Sequence, residues 1–153
     1  MQSPQSWEQH INESKTYFKN ANHLAYVSLT LLKENRLLIK ILLDLHKSAV
    51  SLIKAYLEYS AKTDKIALSK DPHKNLTIFI EKIAPNYLKK EQIDDLVRIL
   101  KLARQHKDAP LEFVKRDKFV IFNNGNYEII TAESIKHLIY SLNQAISAFP
   151  TKQ

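Results

Sequence analysis

The sequence contains no cysteine and only one glycine among its 153 residues. Without cysteine, the chain has no disulfide, no thiolate nucleophile and no cysteine-ligated zinc or iron–sulfur site. The single glycine, Gly125, excludes the glycine-rich phosphate loops of P-loop and dinucleotide-binding proteins. With only five prolines as well, the composition favours long helices joined by few turns over a turn-rich β protein.

A long uninterrupted apolar segment is also missing. The longest apolar run, at 37–45, contains Lys40 and Asp44 and is too short to cross a bilayer. The first residues show no basic region followed by an apolar run, so no signal peptide is predicted. We therefore expect a soluble, cytoplasmic protein without a membrane partner.

Length and composition predict one globular domain. A chain of 153 residues with 44% hydrophobic residues can bury a substantial core. We expect a single helical domain over 1–153, with loose tails at 1–5 and 150–153. The net charge of +7 is compatible with nucleic acid as a partner, although many small soluble proteins are equally basic.

The segment 37–57 is the most apolar part of the chain. A helix that is apolar around most of its circumference must be covered by several neighbours, so this segment is predicted to be the central helix of a bundle. Its charged residues are predicted to form one narrow exposed stripe: Arg36, Lys40, Asp44, Lys47, Lys54 and Glu58. The predicted core face comprises Leu38, Ile41, Leu42, Leu45, Ala49, Leu52, Ile53 and Tyr56.

Apolar periodicity predicts four further helices, at about 6–32, 72–84, 89–106 and 131–148. A turn at 33–35 should make the first two helices an antiparallel hairpin. In the helix at 89–106, Val97 and Arg104 are predicted to lie on the core face. Asp94 and Arg98, one turn apart, are expected to form a surface ion pair.

Between residues 107 and 131 the apolar period changes from that of a helix to that of a strand. Asn124–Gly125 is a typical two-residue hairpin turn, which predicts a hairpin at about 118–131 with Phe122 opposite Tyr127. Whether 111–114 adds a third strand stays open. The predicted fold is therefore mainly α, a four- or five-helix bundle with a β-hairpin inserted before the last helix.

The predicted hairpin is apolar on both faces. One face carries Val120, Phe122, Tyr127 and Ile129, and the other carries Phe119, Ile121 and Ile130. A hairpin packed on a bundle normally leaves its second face polar, and an isolated ribbon leaves an open edge. The sequence therefore predicts a homodimer, with Phe119, Ile121 and Ile130 in the self-association surface. The alternative is that the loop at 107–118, with Leu111 and Phe113, folds over the second face.

A group of basic residues surrounds the base of the hairpin and is a candidate anion or nucleic-acid site: Arg104, Lys107, Lys115, Arg116 and Lys118. The planar guanidinium group of arginine suits phosphate well. Nearby carboxylates at Asp108, Glu112 and Asp117 would neutralise part of this charge. For Arg104, the alternative is that its aliphatic part packs at the helix end while its charge stays in water.

Six histidines are present, but none lies three or four residues from another. No helix therefore presents two on one face, as a His-Glu-x-x-His site does, and neither a metal nor another cofactor is predicted. His46 is predicted to be a partly buried structural histidine. No catalytic residue is assigned, because the chain shows no spaced nucleophile or paired-carboxylate signature.

The segment His106–Ile121 resembles a segment of small archaeal proteins, over 16 of the 153 residues. The preceding helical hairpin resembles HEPN-type bundles, whose members include RNases and nucleotidyltransferase partners and often dimerise. HEPN RNases carry an arginine, then four to six residues, then a histidine. Here seven residues separate Arg98 from His106 and one separates Arg104 from His106, so the resemblance carries over no catalytic residue.

The sequence favours a non-catalytic intracellular interaction module that self-associates. The alternative is a nucleic-acid-binding or HEPN-like RNA-processing protein that uses the basic residues around Arg104 and Arg116. A metal-dependent enzyme, with ligands from separate helices, is a third hypothesis.

Overall fold

A computed structural model describes residues 6–150. The predicted tail at 1–5 lies outside this range, as does the predicted tail at 150–153 except for Pro150. The structure confirms a mainly α fold, in which a small antiparallel sheet precedes the last helix. The helices are α1 (Ser6–His23), α2 (Leu29–Leu32), α3 (Leu37–Thr63), α4 (Pro72–Ile78), α5 (Lys90–Asp108) and α6 (Ala132–Ser147). A π-helical turn, Leu24–Ser28, joins α1 to α2, and a second, Phe79–Ile83, follows α4 and precedes a 3-10 turn at Ala84–Asn86. The strands are β1 (Leu111–Lys115), β2 (Lys118–Asn123) and β3 (Asn126–Thr131).

Helix α3 is the centre of the bundle, as predicted. It contacts α1, α5 and α6 and the π-helical turn after α4. All eight residues of its predicted core face are buried, at 7% exposure or less. Among the described residues, no helix has the length and apolar character needed to cross a membrane.

The predicted turn at 33–35 is confirmed, and Lys33 there adopts a left-handed conformation with φ of 54°. This turn lets α3 run back along α1. The two helices approach each other closely at two serines. The Ser14 hydroxyl donates to the Ser48 carbonyl oxygen at 2.8 Å, and the Ser48 hydroxyl donates to the Ser14 carbonyl oxygen at 2.7 Å. Both serines are fully buried, so these reciprocal bonds fix the register of the helical hairpin.

The prediction that Asp44 lies on an exposed stripe is wrong. Asp44 is 2% exposed, and its Oδ1 accepts a hydrogen bond of 3.0 Å from the Lys40 ammonium group. It lines a groove between α1 and α3 beside Lys19 and His23. The exposed stripe is interrupted here because α1 covers this part of α3.

The core face predicted for α5 was rotated relative to the observed one. Its buried residues are Ile93, Leu96, Ile99, Leu102 and Ala103, whereas Val97 is 36% exposed. The Arg104 side chain is 77% exposed, and its Nε lies 4.0 Å from Asp108 Oδ2. Packing of α5 against α3, α6 and β2 selects this stripe, which the period of one helix alone does not specify.

The ion pair predicted between Asp94 and Arg98 does not form. Instead, the Arg98 guanidinium group donates to Glu128 of β3 at 3.1 Å. Glu128 belongs to a different secondary-structure element from Arg98, so spacing along the sequence could not reveal this pair.

The sheet has the strand order β1-β2-β3, and the open question about 111–114 is resolved because this segment lies within β1. In the predicted hairpin, Phe122 pairs with Tyr127, as expected, and Val120 pairs with Ile129. The two-residue turn at Asn124–Gly125 has positive φ at both positions, 48° and 84°. Immediately after β3, Thr131 caps α6 by accepting a hydrogen bond from the Ser134 amide at 3.0 Å.

Candidate nucleic-acid interface

The face of the sheet that points away from the bundle is here called the outer face. Side chains alternate between the two faces of a strand, and the strand register aligns three rows across this face. The first row is Leu111, Phe122 and Tyr127; the second is Phe113, Val120 and Ile129; the third contains Lys115 and Lys118. Two apolar rows thus lie beside a basic row.

The aromatic side chains of the outer face are accessible. Tyr127 is 63% exposed, Phe113 42% and Phe122 36%. They line a shallow depression of about 440 Å³ together with Val120, Ile129, Lys115, Arg116 and Lys118. Among residues 6–150, no acidic side chain lines this depression, and the charged side chains that do line it are all positive.

A strained turn between β1 and β2 places Arg116 at the basic end of the depression. Arg116 has a φ of 57°, a left-handed conformation that is uncommon for a residue with a long side chain. The Asn35 side-chain amide donates a hydrogen bond of 2.8 Å to the Arg116 carbonyl oxygen, which anchors the turn to the corner between α2 and α3. Surrounding contacts of this kind are what hold a residue in a sparsely populated conformation.

The structure divides the five residues of the predicted anion site between two places. Lys115, Arg116 and Lys118 line the depression on the outer face. Arg104 and Lys107 line a separate groove of about 590 Å³, which shares no lining residue with the depression. The expectation of one combined cluster is therefore corrected to two basic sites.

The second basic site, here called the histidine groove, contains three of the six histidines. His46 of α3, His73 of α4 and His106 of α5 line it with Arg104 and Lys107, and no carboxylate from the described part of the chain does. His46 is partly buried, as predicted. Burial lowers the pKa of His46, and the neighbouring positive charge of Lys47 adds to this effect.

A close polar contact joins the histidine groove to the sheet. His106 Nδ1 lies 2.6 Å from Glu112 Oε2, and both side chains are less than one third exposed. Glu112 lies on the inner side of β1, opposite Ile121. It therefore connects the end of α5 to the strand that carries Phe113 and Lys115.

The residues predicted for self-association lie on the opposite, covered face of the sheet. Phe119, Ile121 and Ile130 are 6%, 1% and 1% exposed and belong to the hydrophobic core. In this structure they pack within the same chain and are unavailable to a second copy. The location assigned to the surface is thus corrected, because β2 and β3 turn these side chains toward α5 and α6. Self-association itself stays a prediction.

The alternative in which residues 107–118 fold over the second face is also corrected. Leu111 and Phe113 belong to β1, which extends the sheet sideways by pairing with β2. At 53% and 42% exposure, they enlarge the outer face instead of covering it.

The sequence analysis did not assign Phe113, Phe122 and Tyr127 to an anion site. Residues 111–115 do contain the relevant signal, because a period of two places Phe113 and Lys115 on one face of a strand. That signal indicates an aromatic and basic surface only if this segment pairs with β2. The short-range sequence pattern does not establish this pairing.

Comparison of the chain with protein-family models, curated proteins and solved structures gave no match. The resemblance to HEPN-type bundles therefore stays a prediction.

Proposed function

We propose that this protein binds single-stranded nucleic acid on the outer face of its sheet. The observation that supports this most directly is the composition of the depression. One aromatic residue from each strand lies beside three basic residues, and none of the residues described in the structure adds a carboxylate to the lining. Aromatic side chains stack on bases, and lysine or arginine neutralises the phosphates between them. Base stacking and phosphate binding by one strand require aromatic and basic side chains next to each other, and the three rows of the outer face provide this arrangement.

The dimensions of the outer face favour a single strand. Adjacent strands lie about 4.8 Å apart, so the aromatic residues of β1 and β3 span about 10 Å, which suits two or three stacked bases. A shallow sheet face cannot enter the narrow major groove of double-stranded RNA, whereas it can receive unpaired bases. Such a partner also agrees with the intracellular location expected from the sequence.

The proposal is tested by fluorescence anisotropy with a labelled single-stranded RNA of about 10 nucleotides at low salt. Phe122→Ala and Tyr127→Ala should each weaken binding by about 5- to 150-fold, the equivalent of about 1–3 kcal/mol per stacked base. Tyr140→Ala is the matched control, because Tyr140 is 64% exposed but lies on α6. Absence of binding by the wild type, or equal affinity for all three variants, would contradict the proposal.

Self-association through the same outer face is a second candidate function. It is favoured by six apolar residues of this face: Leu111, Phe113, Val120, Phe122, Tyr127 and Ile129. It ranks second because a copy packed on this face would bring two basic clusters toward each other. Light scattering tests whether a second copy and RNA compete for this face. If they do, saturating RNA should convert a dimer to monomers. A dimer that persists with saturating RNA would show that the two partners use different surfaces.

A further inference from the structure

Three metal-binding groups converge where α5 packs against α6. Nε2 of His137 lies 3.0 Å from Asp95 Oδ2 and 3.5 Å from Glu91 Oε1. Each group has a donor atom within 4.8 Å of the other two. Glu91 and Asp95 are one turn apart, which places both carboxylates on the side of α5 that meets α6.

Two of the three separations match those that one small metal ion imposes on its ligands. Zinc bonds to imidazole nitrogen and carboxylate oxygen are about 2.0–2.2 Å long, so two ligands of one ion lie about 2.9–3.6 Å apart. Both His137 distances fall within this interval. The Glu91 and His137 side chains are 73% and 53% exposed, so both have room to rotate toward a shared ion.

The central carboxylate is held in place by a buried hydroxyl group. Ser141, which is 3% exposed, donates a hydrogen bond to Asp95 Oδ2. The Asp95 side chain is itself only 14% exposed. Metal-binding carboxylates are commonly oriented by such outer hydrogen bonds, and here one helix, α6, supplies both His137 and the hydroxyl group.

The local charge also favours a cation. Within the described part of the chain, His137 is the only residue that forms an ion pair with Glu91 or Asp95. Two carboxylates therefore have one imidazole group as their ion-pair partner. A divalent ion would neutralise both.

We propose that Glu91, Asp95 and His137 form a binding site for a divalent first-row transition metal, with Zn²⁺ as the test ion. The imidazole nitrogen favours such a metal over Mg²⁺ or Ca²⁺, which prefer oxygen ligands alone. Three protein ligands leave at least one coordination position for water or another small ligand. The site joins α5 to α6, so bound metal stabilises this helix pair. This proposal is independent of nucleic-acid binding.

Isothermal titration calorimetry of the full chain with zinc chloride is the direct test, with magnesium and calcium chloride as comparison ions. The wild type should bind one Zn²⁺ more tightly than either comparison ion, and its melting temperature should rise when zinc is added. His137→Ala and Asp95→Asn should each weaken zinc binding by at least 10-fold. Ser141→Ala should weaken it by about 10-fold, as loss of an outer hydrogen bond does.

His73→Ala is the matched control, because it removes a histidine from the histidine groove and leaves the three proposed ligands intact. Unchanged zinc affinity in His73→Ala, with weakened binding in His137→Ala, supports the assignment. Absence of zinc binding by the wild type would overturn it and would identify the cluster as an ordinary ion pair. Loss of binding in His73→Ala but not in His137→Ala would also overturn it. Circular dichroism verifies that each variant is folded.

Discussion

The phenolic hydroxyl of Tyr56 donates a hydrogen bond of 2.8 Å to the backbone carbonyl oxygen of Ala145. Ala145 lies in the last turn of α6, where carbonyl oxygens lack their regular helical donors. The amide of Phe149, which could have served, bonds to the Ile146 carbonyl oxygen instead. Burial raises the pKa of Tyr56 far above its ordinary value, and ionisation of Tyr87 would add to this effect. Tyr56 thus remains a neutral donor that completes the end of α6 from within the core.

Replacement of Tyr56 by phenylalanine should lower the free energy of unfolding by about 1–3 kcal/mol, because it leaves a buried carbonyl oxygen without a donor. Equilibrium urea denaturation measures this change. Tyr140→Phe, at an exposed position on α6, should change stability by no more than about 0.5 kcal/mol. Equal stability of wild type and Tyr56→Phe would show that this hydrogen bond does not support α6.

The two faces of the sheet should respond in opposite ways to an introduced lysine. Ile121→Lys places a charge in the core, where the native side chain is 1% exposed, and should cost at least about 3 kcal/mol. Tyr127→Lys, at 63% exposure, should leave the fold intact and change stability by about 0.5 kcal/mol or less. Thermal melts followed by circular dichroism compare them. If Ile121 instead lay in a self-association surface, Ile121→Lys would give a folded monomer. A stable Ile121→Lys protein would therefore contradict the inward orientation of this residue.

Much of the fold could be predicted from local pattern. The apolar circumference of α3 indicated a central helix, the Asn124–Gly125 turn fixed the hairpin register, and Thr131 marked the start of α6. These features depend on neighbours within a few residues along the chain. The burial of Asp44 and the rotation of α5 depend on which helices lie alongside, and a single-helix pattern does not contain that information.

The candidate site was only partly predictable for the same reason. Its basic residues were identified, but Arg104 and Lys107 proved to line a different groove from Lys115, Arg116 and Lys118. Its aromatic residues could be assigned only once β1 was known to pair with β2. The turn between these strands has an uncommon backbone conformation at Arg116, which local pattern does not predict. Likewise, spacing along the sequence could not reveal the contact of His137 with Glu91 and Asp95, because the ligands come from two helices.

Stability should decrease as the pH falls through the range in which His46 titrates. Because burial lowers its pKa in the folded state below the ordinary value of 6.5, the unfolded chain binds this proton more readily. The stabilising contribution of neutral His46 is therefore present above pH 6.5 and is lost as the pH falls toward the folded-state pKa. Urea denaturation at a series of pH values should show a smaller decrease for His46→Gln than for the wild type. His23→Gln, at an exposed position, serves as the control; equal pH dependence of all three proteins would remove His46 as a cause.

The two basic sites should be separable by the salt dependence of RNA binding. Three phosphate contacts to a single strand predict a slope of about −2 in a plot of log affinity against log salt concentration. Arg116→Gln should weaken binding and reduce the magnitude of this slope by about 0.7. Arg104→Gln should leave both affinity and slope unchanged, because Arg104 lines the histidine groove. The opposite ranking of these variants would move the proposed RNA site to that groove.

The location of bound nucleic acid is the central claim, and nuclear magnetic resonance tests it most directly. Amide signals of the labelled protein are followed while single-stranded RNA is added. We predict that the largest shifts fall in β1, β2 and β3 and the turn at Arg116, and that signals of α1 change little. Shifts confined to residues around His46, His73 and Arg104, or no shifts at low salt, would contradict the proposal that the outer face of the sheet binds single-stranded nucleic acid.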